Sequence, residues 1–233
     1  FTWLLAAEKY YFYTGDSSIL AEIYPTAVKN LKWFEDFAGD KNLLGNPEGY
    51  WLFLDWSTID KSGITASFNL WYLLALQSMQ RISKIVGKRS AIYKKQEQKV
   101  KKALLNTFYN RKKGVWFEAY NPKTGKLRQI SQHANTLAFL AGLPVGSGGK
   151  NVLREPVYKA STCDRPRASS YFAYYVLDSL FKLGEAQRAI KEINDSWGDM
   201  IKKGATTFWE NWNALRYDYS VCHAWSAHPL ALL

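Results

Sequence analysis

Along nearly all of its 233 residues the chain sets apolar side chains three and four positions apart, and nowhere does it hold a two-residue alternation for long. That period turns a stripe of each segment towards one side and commits the chain to an all-α architecture. Residues 3–14 read as a first helix stopped at Gly15, a residue free to take the left-handed conformation that ends helices, with Asp16 and Ser17 able to cap the next. The second runs to about Phe37 on the stripe Leu20, Ile23, Tyr24, Ala27, Leu31 and Phe34, with Pro25 at a kink or a late start. Residues 66–86 set Phe68, Trp71, Tyr72, Met79 and Ile82 on one face. After Gly87 a fourth helix runs to about Phe108 with Tyr93, Val100 and Leu104 inward.

The rest repeats this hairpin grammar. Residues 109–130 read as a short β-hairpin between helices, turning at Asn121-Pro122-Lys123-Thr124-Gly125. Residues 131–142 form a fifth helix, followed by a Gly-rich stretch at 146–149 and a modest helical segment at 152–158. Residues 168–183 and 185–197 pair about Gly184, and 221–233 read as a last apolar helix after an irregular stretch at 203–220. Short connections alternate with long ones, the longest running from Gly39 to Ile64. That suits an (α/α)6 toroid, in which inner helices face a funnel and long connections form its rim. About eight helices are expected against the twelve of a full ring. The chain opens without Met on a helix already under way, so it is expected to be one toroid domain, 1–233, incomplete on its N-terminal side.

With 31 Lys and Arg against 20 Asp and Glu, the chain carries a net charge of +11, which raises nucleic acid as a partner. The densest runs, Lys94-Lys95, Lys99 to Lys102 and Arg111-Lys112-Lys113, fall mostly on one helix away from its apolar stripe, and no nucleic-acid motif accompanies them. They read as a solvated outer face. No apolar run is long enough to span a bilayer. Two cysteines, Cys163 and Cys222, make neither a disulfide framework nor a metal knuckle, and no cluster for a metal is evident. Ten Trp and 15 Tyr permit an aromatic sugar pocket, although such rings also dominate ordinary cores.

The most specific string is Gly204-Ala205-Thr206-Thr207-Phe208-Trp209-Glu210-Asn211-Trp212, a polar, aromatic turn between apolar segments where a rim loop belongs. A carboxylate flanked by Trp209 and Trp212 is expected to be partly desolvated, which raises its pKa and suits proton transfer. The competing reading is an exposed loop glutamate between two anchoring tryptophans.

This string, with Ser220-Val221-Cys222-His223-Ala224-Trp225-Ser226-Ala227, resembles the C-terminal signature of the bacterial α-L-rhamnosidases. The phrases Tyr13-Thr14-Gly15-Asp16 and Ser196-Trp197-Gly198-Asp199-Met200-Ile201 are similar to that family too, although other sugar-active toroids share them. The resemblance implies an inverting glycoside hydrolase on an (α/α)6 barrel that removes terminal rhamnose from glycosides, needs no cofactor, and works in the periplasm or outside a bacterial cell. It makes Glu210 the general base, His223 a sugar-binding residue and Trp56 an aromatic wall of the pocket, and Trp209 and Trp212, on either side of Glu210, are expected to bind the sugar with them. Asp55, beside that wall, would bind a sugar hydroxyl or cap its own loop.

Inversion needs a second carboxyl group as general acid. In the family this group lies in an arginine- and acid-rich motif upstream of the region matched by Phe1, so a piece lacking it is expected to hydrolyse little by itself. Among internal carboxylates Asp55, Glu118, Asp164 and Asp218 sit in loops, and no motif singles one out. His133 reads as a core or capping residue rather than a rim group, His228 has no special claim, and Arg165 and Arg167 border the funnel or the surface. Another (α/α)6 glycosidase and a non-catalytic carbohydrate-binding toroid are the remaining alternatives.

Overall fold

A computed structural model describes residues 1–157 and 162–233 of the chain. Its helices are α1 (Thr2–Thr14), α2 (Ser18–Ala38), α3 (Ala66–Ile85), α4 (Ala91–Phe108), α5 (Gln132–Leu140), α6 (Ser147–Leu153), α7 (Ala173–Lys182), α8 (Ala186–Lys202) and the one-turn α9 (Ala214–Tyr217). They pack as four hairpins: α1 on α2, α3 on α4, α5 on α6, α7 on α8. The first members also touch in sequence, α1 on α3, α3 on α5 and α5 on α7. The result is an inner row backed by an outer one, the wall of an α/α toroid.

Burial follows from that arrangement. Helix α3, flanked on the inner row and backed by α4, is buried from Ala66 through Leu76 with no exposed side. Helix α4 stands outside and buries only Tyr93, Gln96, Val100, Leu104 and Phe108, while Lys94, Lys95, Lys99 and Lys102 face solvent. The basic run is thus the outer side of an outer helix. Pro25 is accommodated inside α2 without ending it. Gly15 ends α1 at φ 72°, and the Asp16 carboxylate accepts the Ser18 N–H (2.8 Å) at the start of α2.

Four local expectations change. Residues 109–130 form two hairpins, because Ile64–Thr65 (β1) joins Ala119–Asn121 (β4) and Lys126–Arg128 (β5) in a three-stranded sheet, while Tyr109–Asn110 (β2) pairs with Val115–Trp116 (β3). The helix expected at 152–158 begins earlier, at Ser147, and Tyr158 lies outside the described residues. The segment expected from 168 becomes helical only at Ala173, and its partner runs on to Lys202.

Residues 221–233 are not an α-helix. They make two 3-10 turns, Ala224–Ser226 and His228–Ala231. Pro229 has no N–H and disfavours helical backbone at the residue before it. Tertiary hydrogen bonds hold the segment instead: Trp197 Nε1 donates to Ser226 O (2.9 Å), Ser226 Oγ to Trp209 O (2.6 Å) and His228 Nε2 to Ser170 O (2.8 Å). Among the described residues no helix is long and apolar enough to cross a membrane, and no three His, Cys, Asp or Glu could hold a metal ion.

Candidate active site

Glu210 lies in the irregular connection between α8 and the C-terminal turns, and two stretches of that connection run side by side. Glu210 N–H donates to Ser220 O (2.9 Å) and His223 N–H to Phe208 O (2.7 Å). The Glu210 carbonyl is fixed twice, by Ser170 Oγ (2.6 Å) and by Trp225 Nε1 (2.8 Å). With its main chain pinned from three sides, the residue has little freedom besides its side-chain torsions.

That side chain is received by donors from two distant segments. Trp56 Nε1 donates to Oε1 (2.9 Å), and the Ser220 N–H donates to Oε2 (2.9 Å). His223 Nδ1 stands 3.9 Å from the same Oε2, and its ring lies 4.2 Å from that of Trp225. The carboxylate keeps 15% of its side-chain surface exposed and the imidazole 35%. An ionised carboxylate offers about four acceptor positions; two are used, so an incoming water or hydroxyl can still find one. The structure therefore brings Glu210, Trp56 and His223 together, although 154 positions separate the first two.

Aromatic rings close around this carboxylate. Trp56 stacks on Tyr219 (5.5 Å, 28°) and meets Phe53 edge-on (5.3 Å), and Phe53 stacks on Trp225 (5.8 Å, 11°). Beyond Phe53 an open groove of about 570 Å³ is lined by Trp51, Tyr50, Trp33, Trp71 and Tyr171; Glu210 itself is not in its lining. The carboxylate thus stands beside the groove behind a partition of rings.

Trp209 and Trp212 are placed otherwise than expected. They are 3% and 9% exposed and belong to the core. Trp212 donates its indole N–H to Ala168 O (3.0 Å) and packs edge-on against Trp197 (5.0 Å). These rings anchor the loop from beneath, and the walls near the carboxylate are Trp56, Tyr219 and Trp225. A Trp-x-x-Trp spacing cannot reveal which side of an irregular loop each ring takes.

Asp55 is also displaced from its expected role. It is buried, it is not in the lining of the groove, and among the described residues its hydrogen-bond partners are distant ones rather than its own loop. His133 Nε2 donates to Oδ2 (2.7 Å), as does Ser169 N–H (2.8 Å), and Ser169 Oγ donates to Oδ1. His133 is accordingly a core residue. Glu118 is buried too, accepting from Ser67 N–H (3.0 Å), Ser67 Oγ (2.7 Å) and Ser131 Oγ, and burial pushes its carboxyl above the usual range. Neither carboxylate is available as a proton donor in the groove. Arg165 and Arg167 both pair with Glu155, Arg165 Nη1 at 3.2 Å, with the Arg165 side chain exposed and that of Arg167 largely buried. Sequence reasoning missed Ser170, Tyr219, Ser220 and Trp225 as the frame of Glu210; the string 220–227, which carries part of the resemblance, contains two of them, Ser220 and Trp225.

Paired helices in an inner and an outer row, with a partly exposed carboxylate held among aromatic rings, are the arrangement of an α/α-toroid domain with a candidate acid–base site. The chain belongs to the bacterial alpha-L-rhamnosidase six-hairpin glycosidase domain family, whose model matches residues 1–233. No curated protein sequence matches it. Among solved structures it is similar to a GH78 family rhamnosidase of Bacillus sp. GL1, with 22% identity and a TM-score of 0.85 over 97% of this chain and 25% of that one. It is similar to a rhamnosidase from Klebsiella oxytoca with rhamnose bound, with 22% identity and a TM-score of 0.75 over 97% of this chain and 44% of that one. A GH63 mannosylglycerate hydrolase from Thermus thermophilus shares the fold at 14% identity and a TM-score of 0.51, over 72% of this chain and 44% of that one. The chain thus spans a quarter to under half the length of these structures.

Proposed function

We propose that this domain carries the base half of an inverting glycoside hydrolase that releases terminal α-L-rhamnose. The observation that carries the reading is the Glu210 carboxylate, held by one donor on each oxygen and left partly open to solvent beside an aromatic groove. A general base must present a lone pair to a water that is itself positioned, and a fixed carboxylate among rings supplies the position. The C–H faces of a sugar pack on such rings, which makes Trp56 a platform as well as a donor. His223, beside Oε2, is within reach of a hydroxyl on the same sugar.

An inverting pair has its two carboxyl groups roughly 6.5–9.5 Å apart, with the water beside the base. Asp55 and Glu118 are committed to interior hydrogen bonds, and the resemblance to the family implies a general acid upstream of the region matched by Phe1, so the acid is assigned there. The rhamnose bound by the Klebsiella oxytoca structure supports the choice of sugar. A periplasmic or secreted bacterial location fits an enzyme that trims glycosides.

The test is an assay on an aryl α-L-rhamnoside, using the chain extended on its N-terminal side, beside Glu210→Gln. The variant is expected to lose on the order of 10²–10⁴ in turnover while still binding rhamnose. Full activity in Glu210→Gln would sink the assignment. Rhamnose binding by an extended chain that never hydrolyses would favour a carbohydrate-binding toroid instead.

A further inference from the structure

The fully buried pair Asp55 and His133 lies one residue from Trp56, and its hydrogen bonds lead to Glu210 by two routes. We propose that Asp55 is a positioning residue for the Glu210 carboxylate, acting from the interior through Trp56 on the side chain and through Ser169 and Ser170 on the main chain.

The first route is covalent. Asp55 is tied to His133 on α5 and to Ser169, so the backbone of residues 54–56 cannot shift without breaking buried polar contacts. Trp56 leaves that fixed backbone and delivers its indole N–H to Glu210 Oε1 at 2.9 Å. The second route runs through the other partner. Ser169, held by Asp55 at both its N–H and its hydroxyl, sets the backbone of Ser170, whose Oγ donates to the Glu210 carbonyl at 2.6 Å. One carboxylate therefore locks together the two segments that grip Glu210, using both of its oxygens.

Energetics favour a specific purpose over general cohesion. Burying an aspartate is costly before its partners offset it, and a well-packed apolar residue would hold the same space at least as well. What an apolar residue cannot supply is direction. A carboxylate with a histidine on one side and a serine on the other fixes the angle between three segments, and a base displaced by about 1 Å can lose on the order of 10² in rate.

The inference rests on the proposed function only in calling Glu210 a base, and its first test needs no activity. In a 1H–15N spectrum of the folded chain the Trp56 indole signal, assigned by Trp56→Phe, reports the hydrogen bond to Glu210. Asp55→Asn is expected to move that signal upfield, Asp55→Ala further, and Ser169→Ala in the same direction. The indole signal of Trp116, which donates to Pro144 O, marks the folded state and is expected to stay. Leu104→Ala, a cavity in the core beneath α4, serves as a control for simple loss of stability and is expected to leave Trp56 in place. A Trp56 signal unmoved in the Asp55 variants overturns the proposal, and so does equal movement in Leu104→Ala. Should Asp55→Ala not fold, Ser169→Ala, which removes only a hydroxyl, decides it. In the extended active chain the same variants are expected to lower kcat by up to on the order of 10² with KM nearly unchanged. Activity that survives Glu210→Gln would instead count against the functional reading and leave the spectroscopic result standing.

Discussion

At the scale of single residues the site is decided by which polar atoms find each other. Trp56, expected as a wall for a sugar, spends its indole N–H on the Glu210 carboxylate, and Trp212, expected beside that carboxylate, spends its own on Ala168 O. Both have the same side chain; only the partner assigns the role. His228 gives a titration to measure. Its Nε2–H donates to Ser170 O, its Nδ1 is buried without a hydrogen-bond partner among the described residues, and burial pulls the ring from the ordinary 6.5 down to about 4. Between those values the unfolded chain binds a proton that the folded chain refuses, so this contribution to stability is complete above pH 6.5 and is lost as pH falls towards 4. His228→Phe does not titrate. The difference in urea midpoint between wild type and His228→Phe is therefore expected to shrink as pH is lowered through that window, and a constant difference would contradict the assignment.

At the scale of elements, helices tolerate what their row allows. The glycines after α5 serve close approach rather than flexibility. A Cβ built on Gly148 would stand 2.3 Å from Lys113 O, so the first turn of α6 rests directly on the loop joining β2 and β3. Gly148→Ala is expected to cost about 1–3 kcal/mol by overpacking, read from denaturant unfolding. Gly198→Ala, in α8 with nothing within 4 Å, is the comparison and is expected to be neutral or mildly stabilising. The segment 221–233 carries the opposite lesson. Its apolar content suggests a helix, but Pro229 and the hydrogen bonds to Trp197, Trp209 and Ser170 make it a clasp over the Glu210 loop.

At the scale of the whole molecule, the four hairpins share one continuous core that runs from Leu4 in α1 to Ala214 in α9. No hairpin has a private core. Unfolding by urea is therefore expected to be a single transition, with tryptophan fluorescence and far-ultraviolet circular dichroism tracing the same curve; separated midpoints would show that hairpins melt independently. The basic face of α4 is turned outward, away from the inner row that faces the groove, so charge and the Glu210 loop occupy different sides of the wall.

The helical architecture and the hairpin rhythm were legible in the sequence because helix periodicity is local, repeating within each turn and needing no distant partner. Helix α4 follows its stripe closely, and α3 buries its stripe together with its other sides through Leu76, whereas the strand Ile64–Thr65 was invisible because its pairing partner lies some 55 positions on. The loop around Glu210 stood out for its composition alone. What surrounds the carboxylate, which rings face it and which lie beneath it, and that Asp55 turns inward to His133 and Ser169, follow from contacts across 78 to 154 positions. Such contacts leave no period along the chain: a hydrogen bond between Trp56 and Glu210 depends on how α3, α5 and α7 stack between them. The sequence by itself determined helices, their stripes and a carboxylate-bearing loop; only the tertiary packing decided how that carboxylate is held.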